Sequence, residues 1–254
     1  MGDSGWGGAG AADAGGYGSL KLGLRVTALR RVRAVWLAVV LASVCVGAAG
    51  AQEVWRFNQT ASLGVHPVKA LGHPQVVETE LGKAVAFNGV DDALMVDVHP
   101  LAGAAIWTWE MIFRPDADGA AAQRVFHLQV RDAATGADIA DRMLFEIRIV
   151  KGQWCLDSFA TSAGQGATLL NCEKLHPLGQ WARVTAVYDG ATLRNYVGDE
   201  LQGEAAVKLA PQGAGHASVG VRINLVNYFK GAIYEARFTR RALGVGDFLR
   251  MPAH

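Results

Sequence analysis

The last third of the chain most constrains the fold, because it consists of short alternating runs of apolar and polar residues separated by turns. One run, residues 181–188, ends at Tyr188 and is followed by the turn Asp189-Gly190. Another, residues 229–238, closes the region with Phe-Lys-Gly-Ala-Ile-Tyr-Glu-Ala-Arg-Phe. Alternation with a period of two is typical of strands that bury one face. This order of strands and turns predicts an antiparallel sandwich of two sheets.

The same pattern extends over most of the chain from residue 52 onward. We find no long amphipathic helical period and no low-complexity linker there, so a single all-β domain over residues 52–254 is predicted. Its expected strands are 53–58, 83–88, 93–97, 106–113, 123–130, 142–150, 153–159, 181–188, 192–197, 216–223 and 230–238. A short helical turn after residue 241 is expected to dock Phe248 and Leu249 on the sandwich.

Composition excludes several functional classes. The chain has 254 residues, a formal net charge of +1 and 51% hydrophobic residues, values typical of an ordinary globular protein. Nothing resembles the basic surface of a nucleic-acid-binding protein, so we expect no nucleic-acid partner. Motifs for a Ser-His-Asp site, a phosphate-binding loop, a dinucleotide site or a Cys/His metal cluster are also missing from the sequence.

The N-terminal region has the three-part pattern of an export signal. A basic run, residues 25–33, precedes the apolar run 34–46 and the small residues Ala49-Gly50-Ala51. This pattern predicts a signal peptide over residues 25–51, cleavage after Ala51, and a secreted or periplasmic protein. An uncleaved segment that tethers the protein to a membrane is the alternative. Residues 1–24 are rich in Gly and Ala and are predicted to be disordered, or absent if translation starts near Val26.

Cysteine usage agrees with export. Cys45 lies within the predicted signal peptide, which leaves Cys155 and Cys172 in a compartment where disulfides persist. These two cysteines lie on the arms of a predicted hairpin around residues 161–166. If the arms pair symmetrically about that loop, Cys155 faces Cys172 and a disulfide closes the hairpin. Two buried free thiols are the alternative.

Four separated segments together resemble a known family. They are residues 82–92, residues 107–113, residues 181–190 with Tyr196-Val197, and residues 229–238 with 241–243. Over about residues 53–250 the chain resembles the laminin-G-like jelly-roll domains of the concanavalin A-like lectin and glucanase superfamily, in the form common in bacterial secreted proteins. The resemblance implies a two-sheet antiparallel jelly roll. It does not choose a function, because such sandwiches serve as sugar binders, adhesion modules, calcium-dependent partners and enzymes.

Sorting each predicted strand by its two faces identifies a polar set of side chains. If the strands form one meander sheet, as their short connections favour, these side chains share one face, and a glycan commonly lies on the curved sheet in this superfamily. The alternative to a binding site, which stays open, is a solvent-exposed face on which neighbouring strands form ion pairs. The candidate ligand-binding residues are Glu110, His127, Gln129, Glu146, Arg148, Asp157, Arg183, Arg194 and Tyr196.

The predicted function is that of a non-catalytic exported module that binds a glycan or an extracellular partner. Contact with a membrane is expected only through the export signal. The first alternative is a glycoside hydrolase that uses Glu110 with Glu146 or Asp157, although the Glu-x-Asp-x-x-Glu pattern of the superfamily's glucanases is missing. The second alternative is a structural module for protein interactions. No catalytic residue is therefore assigned.

Calcium is the one cofactor that the sequence suggests. Asn88, Asp91 and Asp92 place hard oxygen ligands in one turn, and related laminin-G-like domains hold calcium at the rim of the sandwich. The same residues are also common in turns without a metal, because Asn and Asp side chains accept hydrogen bonds from their own backbone. Both interpretations stay open.

Overall fold

The computed structural model describes residues 52–252, and the predicted signal peptide, the segment 1–24 and Cys45 lie outside this range. The described part of the chain forms seventeen strands and one turn of 3₁₀ helix, Val245–Asp247, and it contains no helix long and apolar enough to span a membrane. The strands are β1 (Gln52–Arg56), β2 (Ser62–Leu63), β3 (His66–Leu71), β4 (Gln75–Thr79), β5 (Gly82–Asn88), β6 (Ala93–Val96), β7 (Trp107–Pro115), β8 (Ala122–Arg131), β9 (Asp138–Val150), β10 (Gln153–Ser162), β11 (Gln165–Leu170), β12 (His176–Pro177), β13 (Ala182–Tyr188), β14 (Thr192–Val197), β15 (Glu200–Ala206), β16 (Gly215–Val219) and β17 (Lys230–Thr239).

The strands form two antiparallel sheets, which confirms the predicted fold class. Sheet 1 has the order β15-β14-β13-β7-β17-β5-β4, and β1 pairs with β17 beyond the end of β5. Sheet 2 has the order β11-β10-β9-β8-β16-β6-β3-β2, and β12 pairs with the start of β10. Sequence neighbours often lie in different sheets, as a jelly roll requires.

The core between the sheets is built from the apolar positions of the alternating strands. Trp109 of β7 lies 4.2 Å from Phe145 of β9 and 5.2 Å from Phe126 of β8, measured between ring centroids. All three rings are almost fully buried. Because β7 belongs to sheet 1 and β8 and β9 to sheet 2, these aromatic contacts join the two layers.

The hairpin of β10 and β11 carries the predicted disulfide. Its register pairs Asp157 with Leu170, and continuing this register brings Cys155 opposite Cys172. The two cysteines form a disulfide with their Cα atoms 5.1 Å apart, so the predicted pairing is confirmed. Ala163 and Gly164, both with positive φ, form the two-residue turn that fixes this register.

The strand predicted over residues 216–223 ends well before its expected last residue. The alternating pattern indicated a strand over residues 216–223, but β16 stops at Val219 because Gly220 has a φ of 82° and turns the chain away from the sheet. The side chain of Phe87 would lie 2.4 Å from a Cβ atom at Gly220, so a larger residue would not fit there. The following segment, the 220–228 loop, folds over the outer face of sheet 2.

Candidate functional site

The nine polar residues predicted to share a face do not lie on one sheet. Alternation sorted the faces correctly, since Trp109, Phe145 and Val184 point into the core as expected. The assumption of one meander sheet was wrong, because the chain crosses from sheet 1 to sheet 2 between β7 and β8. Sheet 1 therefore carries Glu110, Arg183, Arg194 and Tyr196, whereas sheet 2 carries His127, Gln129, Glu146, Arg148 and Asp157.

On sheet 1, the chain's own C-terminal segment, residues 240–252, contacts the outer face along β7, β13 and β14. The two oxygens of Glu110, whose side chain is fully buried, accept hydrogen bonds from the backbone N–H of Leu249 and from Nε of Arg237, each at 2.6 Å. Phe248 packs edge-on against Tyr196 with ring centroids 5.2 Å apart, as the predicted docking of the terminal turn requires. Glu110 and Tyr196 thus anchor this segment and do not line an open groove.

Arg183 and Arg194 also have structural partners on sheet 1. Arg183 donates to the carbonyl oxygen of Leu249 at 2.7 Å and pairs with Asp199, while its guanidinium lies over the ring of Phe248. Arg194 pairs with Asp189 at 2.6 Å and with Glu204 at 3.0 Å near the edge of the sheet. The hydrogen bond from Arg194 lowers the pKa of Asp189 to about 2. Glu110, Arg183, Arg194 and Tyr196 therefore all lie on sheet 1, away from any pocket on sheet 2.

On sheet 2, two of the predicted residues stabilise the backbone. His127 is buried, and its Nδ1 accepts a hydrogen bond from the backbone N–H of Ile223 at 3.1 Å, which fixes the 220–228 loop. Burial, reinforced by Arg222 and Arg142, lowers the pKa of His127 to about 3, so this ring is neutral at pH 7. Gln129 donates from Nε2 to the carbonyl oxygens of Ile139 and Asp141.

The other three predicted residues of sheet 2 form one charged network. Glu146 of β9 and Asp157 of β10 are cross-strand neighbours. Arg148 joins them, with its Nη2 atom 2.6 Å from Asp157 Oδ2 and 3.2 Å from Glu146 Oε2. Arg124 of β8 completes the network, since its Nε atom lies 2.6 Å from Glu146 Oε1. These four charged side chains line a shallow pocket on sheet 2.

This pocket, which we call the arginine pocket, has a volume of about 220 Å³. Sequence reasoning missed its further charged and aromatic residues, Arg124, Arg142, Phe159 and Arg222. The guanidinium of Arg142 lies over the half-buried ring of Phe159, 4.8 Å from its centroid, and Arg222 reaches the pocket from the 220–228 loop. The lining consists of Arg124, Arg142, Leu144, Glu146, Arg148, Asp157, Phe159, Thr168 and Arg222.

Part of this set could have been found from alternation. Arg142 lies on the same face of β9 as Glu146, and Phe159 lies on the same face of β10 as Asp157. Arg124 could not have been found from alternation, because a bulge between Arg124 and Phe126 reverses the alternation in β8. The position of Arg222 depends on the path of the 220–228 loop, which no local sequence pattern predicts.

Glu146 makes the stability of this region depend on pH. Burial raises the pKa of Glu146 to about 7, with Asp157 adding to the shift and Arg124 and Arg148 opposing it. The folded protein therefore holds a proton between pH 4.5 and about 7 that the unfolded chain has lost. The stabilisation is complete below pH 4.5 and is lost as the pH rises through about 7.

We expect the free energy of unfolding to fall by on the order of 2 kcal/mol between pH 5 and pH 8 through this group. The side chain at this position cannot titrate in Glu146→Gln, so the free energy of unfolding of that variant should not show this part of the decrease. Urea unfolding of the parent and the variant at both pH values measures it, and other titrating groups such as Glu235 cancel in the difference. Parallel pH curves for the two proteins would contradict the assignment.

The carboxylates do not have the arrangement of a glycosidase that the sequence suggested. Glu110 lies on the outer face of sheet 1, whereas Glu146 and Asp157 lie on the outer face of sheet 2, and packed sheets are about 10 Å apart before their outward side chains are added. This exceeds the separation of roughly 5 to 9.5 Å that either glycosidase mechanism needs. Glu146 and Asp157 are cross-strand neighbours, and Arg148 pairs with both. The proposed pairs with Glu110 are therefore wrong.

The predicted calcium ligands form one turn in which most of the candidate ligand oxygens already accept hydrogen bonds. Asn88 Oδ1 accepts hydrogen bonds from the backbone N–H groups of Val90, Asp91 and Asp92 at 2.8 to 3.2 Å. Both oxygens of Asp92 accept backbone hydrogen bonds, from His73 and from Asn88. Within residues 52–252, no group of three or more His, Cys, Asp or Glu side chains is placed to hold a metal ion. Calcium at this turn stays a prediction.

Comparison with known proteins identifies the fold independently. Residues 88–247 match the sequence model of a laminin G family, Laminin_G_3, described as the concanavalin A-like lectin/glucanases superfamily. No curated protein sequence matches the chain significantly.

Three solved structures resemble the described sandwich. Domain 4 of AbnA, an extracellular GH43 arabinanase from Geobacillus stearothermophilus, in complex with arabinotriose, is 16% identical, with a TM-score of 0.55 over 76% of this chain and 94% of that chain. The receptor-binding domain of botulinum neurotoxin type G is 8% identical, with a TM-score of 0.54 over 77% of this chain and 49% of that chain. The binding domain of Paraclostridial Mosquitocidal Protein 1 is 9% identical, with a TM-score of 0.53 over 77% of this chain and 50% of that chain. At these identities the likeness shows the fold.

Proposed function

Because the chain belongs to the concanavalin A-like lectin/glucanase superfamily, we propose that it is an exported, non-catalytic carbohydrate-binding domain whose ligand lies in the arginine pocket of sheet 2. The superfamily includes both binders and enzymes, so the fold alone does not decide between them. The arginine pocket, and the contacts that already occupy Glu110, Arg183 and Tyr196 on sheet 1, favour binding on sheet 2.

The observation that carries the proposal is the combination of side chains in the arginine pocket. The exposed part of the half-buried ring of Phe159, over which Arg142 lies on one side, offers an apolar surface for the C–H groups of a sugar ring. Around it, Arg142 and Arg222 supply donors for sugar hydroxyls, and Glu146 and Asp157 supply acceptors. An apolar surface beside several polar groups that converge on it is the usual composition of a small-ligand site.

Two further facts support the proposal. Domain 4 of the arabinanase was solved with arabinotriose, so a sandwich of similar architecture accommodates a sugar chain. The disulfide between Cys155 and Cys172 agrees with an oxidising compartment, as the export pattern of residues 25–51 predicts. Domain boundaries before residue 52 and a membrane tether stay predictions of the sequence.

Replacing Phe159 by Ala should weaken binding of the cognate polysaccharide by about tenfold, because the ring surface that packs on the sugar is removed. Binding is measured by affinity gel electrophoresis and calorimetry against a panel of plant, bacterial and animal polysaccharides. Tyr234→Ala is the matched control, since Tyr234 is a half-buried aromatic residue on sheet 1. The control should bind as the parent does.

The same experiment separates the alternatives. Release of new reducing ends from a bound polysaccharide would contradict a non-catalytic role, and equal binding by parent and Phe159→Ala would place the ligand elsewhere. Absence of binding across the panel would favour a module for protein interactions. Repeating the titration with calcium and with a chelator tests the turn of Asn88, Asp91 and Asp92, and a calcium-dependent affinity lost in Asp91→Asn would support that site.

A further inference from the structure

The arginine pocket contains more positive charge than its own carboxylates can neutralise. Four arginines, Arg124, Arg142, Arg148 and Arg222, line it together with only two carboxylates, Glu146 and Asp157. Arg124 and Arg148 form the ion pairs with these carboxylates. Among residues 52–252, neither Arg142 nor Arg222 forms an ion pair, so two positive charges remain without an anion.

Two guanidinium groups of the pocket also have N–H bonds that no acceptor in the described part of the chain satisfies. Nε of Arg142 is buried without a hydrogen-bond partner, and so is Nη1 of Arg124. Burial lowers the pKa of Arg142, and the neighbouring Arg222 adds to this effect while Glu146 opposes it. Buried donors of this kind are costly, and they are explained when a ligand supplies the missing acceptor.

The backbone holds the unpaired Arg222 at the edge of the pocket. Arg222 donates its backbone N–H to Val226 O at 3.3 Å and accepts from Leu225 N at 2.8 Å, which closes a tight loop. Leu225 adopts a φ of 58°, a conformation that a leucine rarely takes and that its surroundings must enforce. With the backbone N–H of Ile223 bonded to His127, the loop brings Arg222 to the pocket that the arginines of β8 and β9 line.

We propose that the sugar bound in the arginine pocket carries an anionic group, a carboxylate or a sulfate, which is received by Arg142 and Arg222 while the sugar ring lies against Phe159. The proposal rests on the proposed function and specifies its ligand class. Both anions present oxygen pairs that match the planar fork of a guanidinium. A neutral sugar would leave the two unpaired charges of the pocket without a partner.

The test compares polymers that differ only in charge. Polygalacturonate and its methyl-esterified form differ in the carboxylate, and dextran sulfate and dextran differ in the sulfate. The full exported protein should bind at least one charged member at least tenfold more tightly than its neutral counterpart, and this preference should shrink as salt is added. Whichever pair shows the preference identifies the anion.

Arg222→Gln should lose about tenfold in affinity for the charged polymer. Its side chain forms no ion pair in the described structure, so the fold should survive, which thermal unfolding checks. Arg194→Gln removes the same charge from sheet 1 and should bind as the parent does. If charged and neutral polymers bind equally and Arg222→Gln has no effect, the inference fails while the carbohydrate-binding function stands. If no polysaccharide binds at all, both fail.

Discussion

Glu110→Gln is expected to lower the free energy of unfolding by about 3 kcal/mol and to leave binding by the arginine pocket unchanged. The carboxylate is fully buried and pairs with Arg237 at 2.6 Å, so its removal leaves a largely buried cation without its partner. It also weakens the hydrogen bond that fixes Leu249 and with it the C-terminal segment. Urea unfolding at pH 7 measures the loss.

Glu78→Gln provides the matched control on the same sheet. Glu78 is exposed and lies 3.9 Å from Lys83, so its replacement should change the free energy of unfolding by less than about 0.5 kcal/mol. If Glu110→Gln were as stable as the parent but had lost a hydrolytic activity, Glu110 would be catalytic and its structural role would be refuted.

Removal of the disulfide is the second large effect we expect. Cys155 and Cys172 are 17 positions apart, and cross-linking a loop of about this length stabilises a protein by about 3 kcal/mol. The double variant Cys155→Ala and Cys172→Ala should therefore unfold at a lower urea concentration by a corresponding amount. The parent measured with a reducing agent should match the double variant, and the double variant should not respond to that agent.

If removing the disulfide did not lower the free energy of unfolding, the hairpin itself would account for the stability of this region. Equal stability of the oxidised parent and the double variant would mean that the turn at Ala163 and Gly164 and the pairing of β10 with β11 already fix the register. Such a result would contradict the assigned contribution of the disulfide and leave its geometry unchanged.

Local alternation predicts most of the longer strands and their faces, although β3, β4 and β15 were not among the expected strands. The strand predicted over residues 192–197 has the bounds of β14, and the same alternation puts Asn195 on the face of Leu193 and Val197. There it donates to Ser158 Oγ at 3.0 Å and to Leu169 O at 3.2 Å, across the sandwich. Pairing of Cys155 with Cys172 followed from the symmetry of one hairpin and needed no tertiary information.

Assignment of strands to sheets could not be predicted in the same way. The connection between β7 and β8 is short enough to suggest a hairpin, yet β7 lies between β13 and β17, which are distant in sequence. That choice depends on long-range burial of Trp109 against Phe126 and Phe145. The candidate groove was divided between two sheets for this reason, and Arg222 could be found only once the 220–228 loop was placed.

The C-terminal segment on sheet 1 changes where the folding unit ends. Counting strands alone would close the domain at Thr239, and the family match stops at residue 247. However, Phe248 and Leu249 complete the contacts of Tyr196 and Glu110. A recombinant fragment cut at either of those points would expose an uncovered aromatic ring and a carboxylate that has lost a hydrogen-bond donor, so expression boundaries for this protein should extend past Leu249.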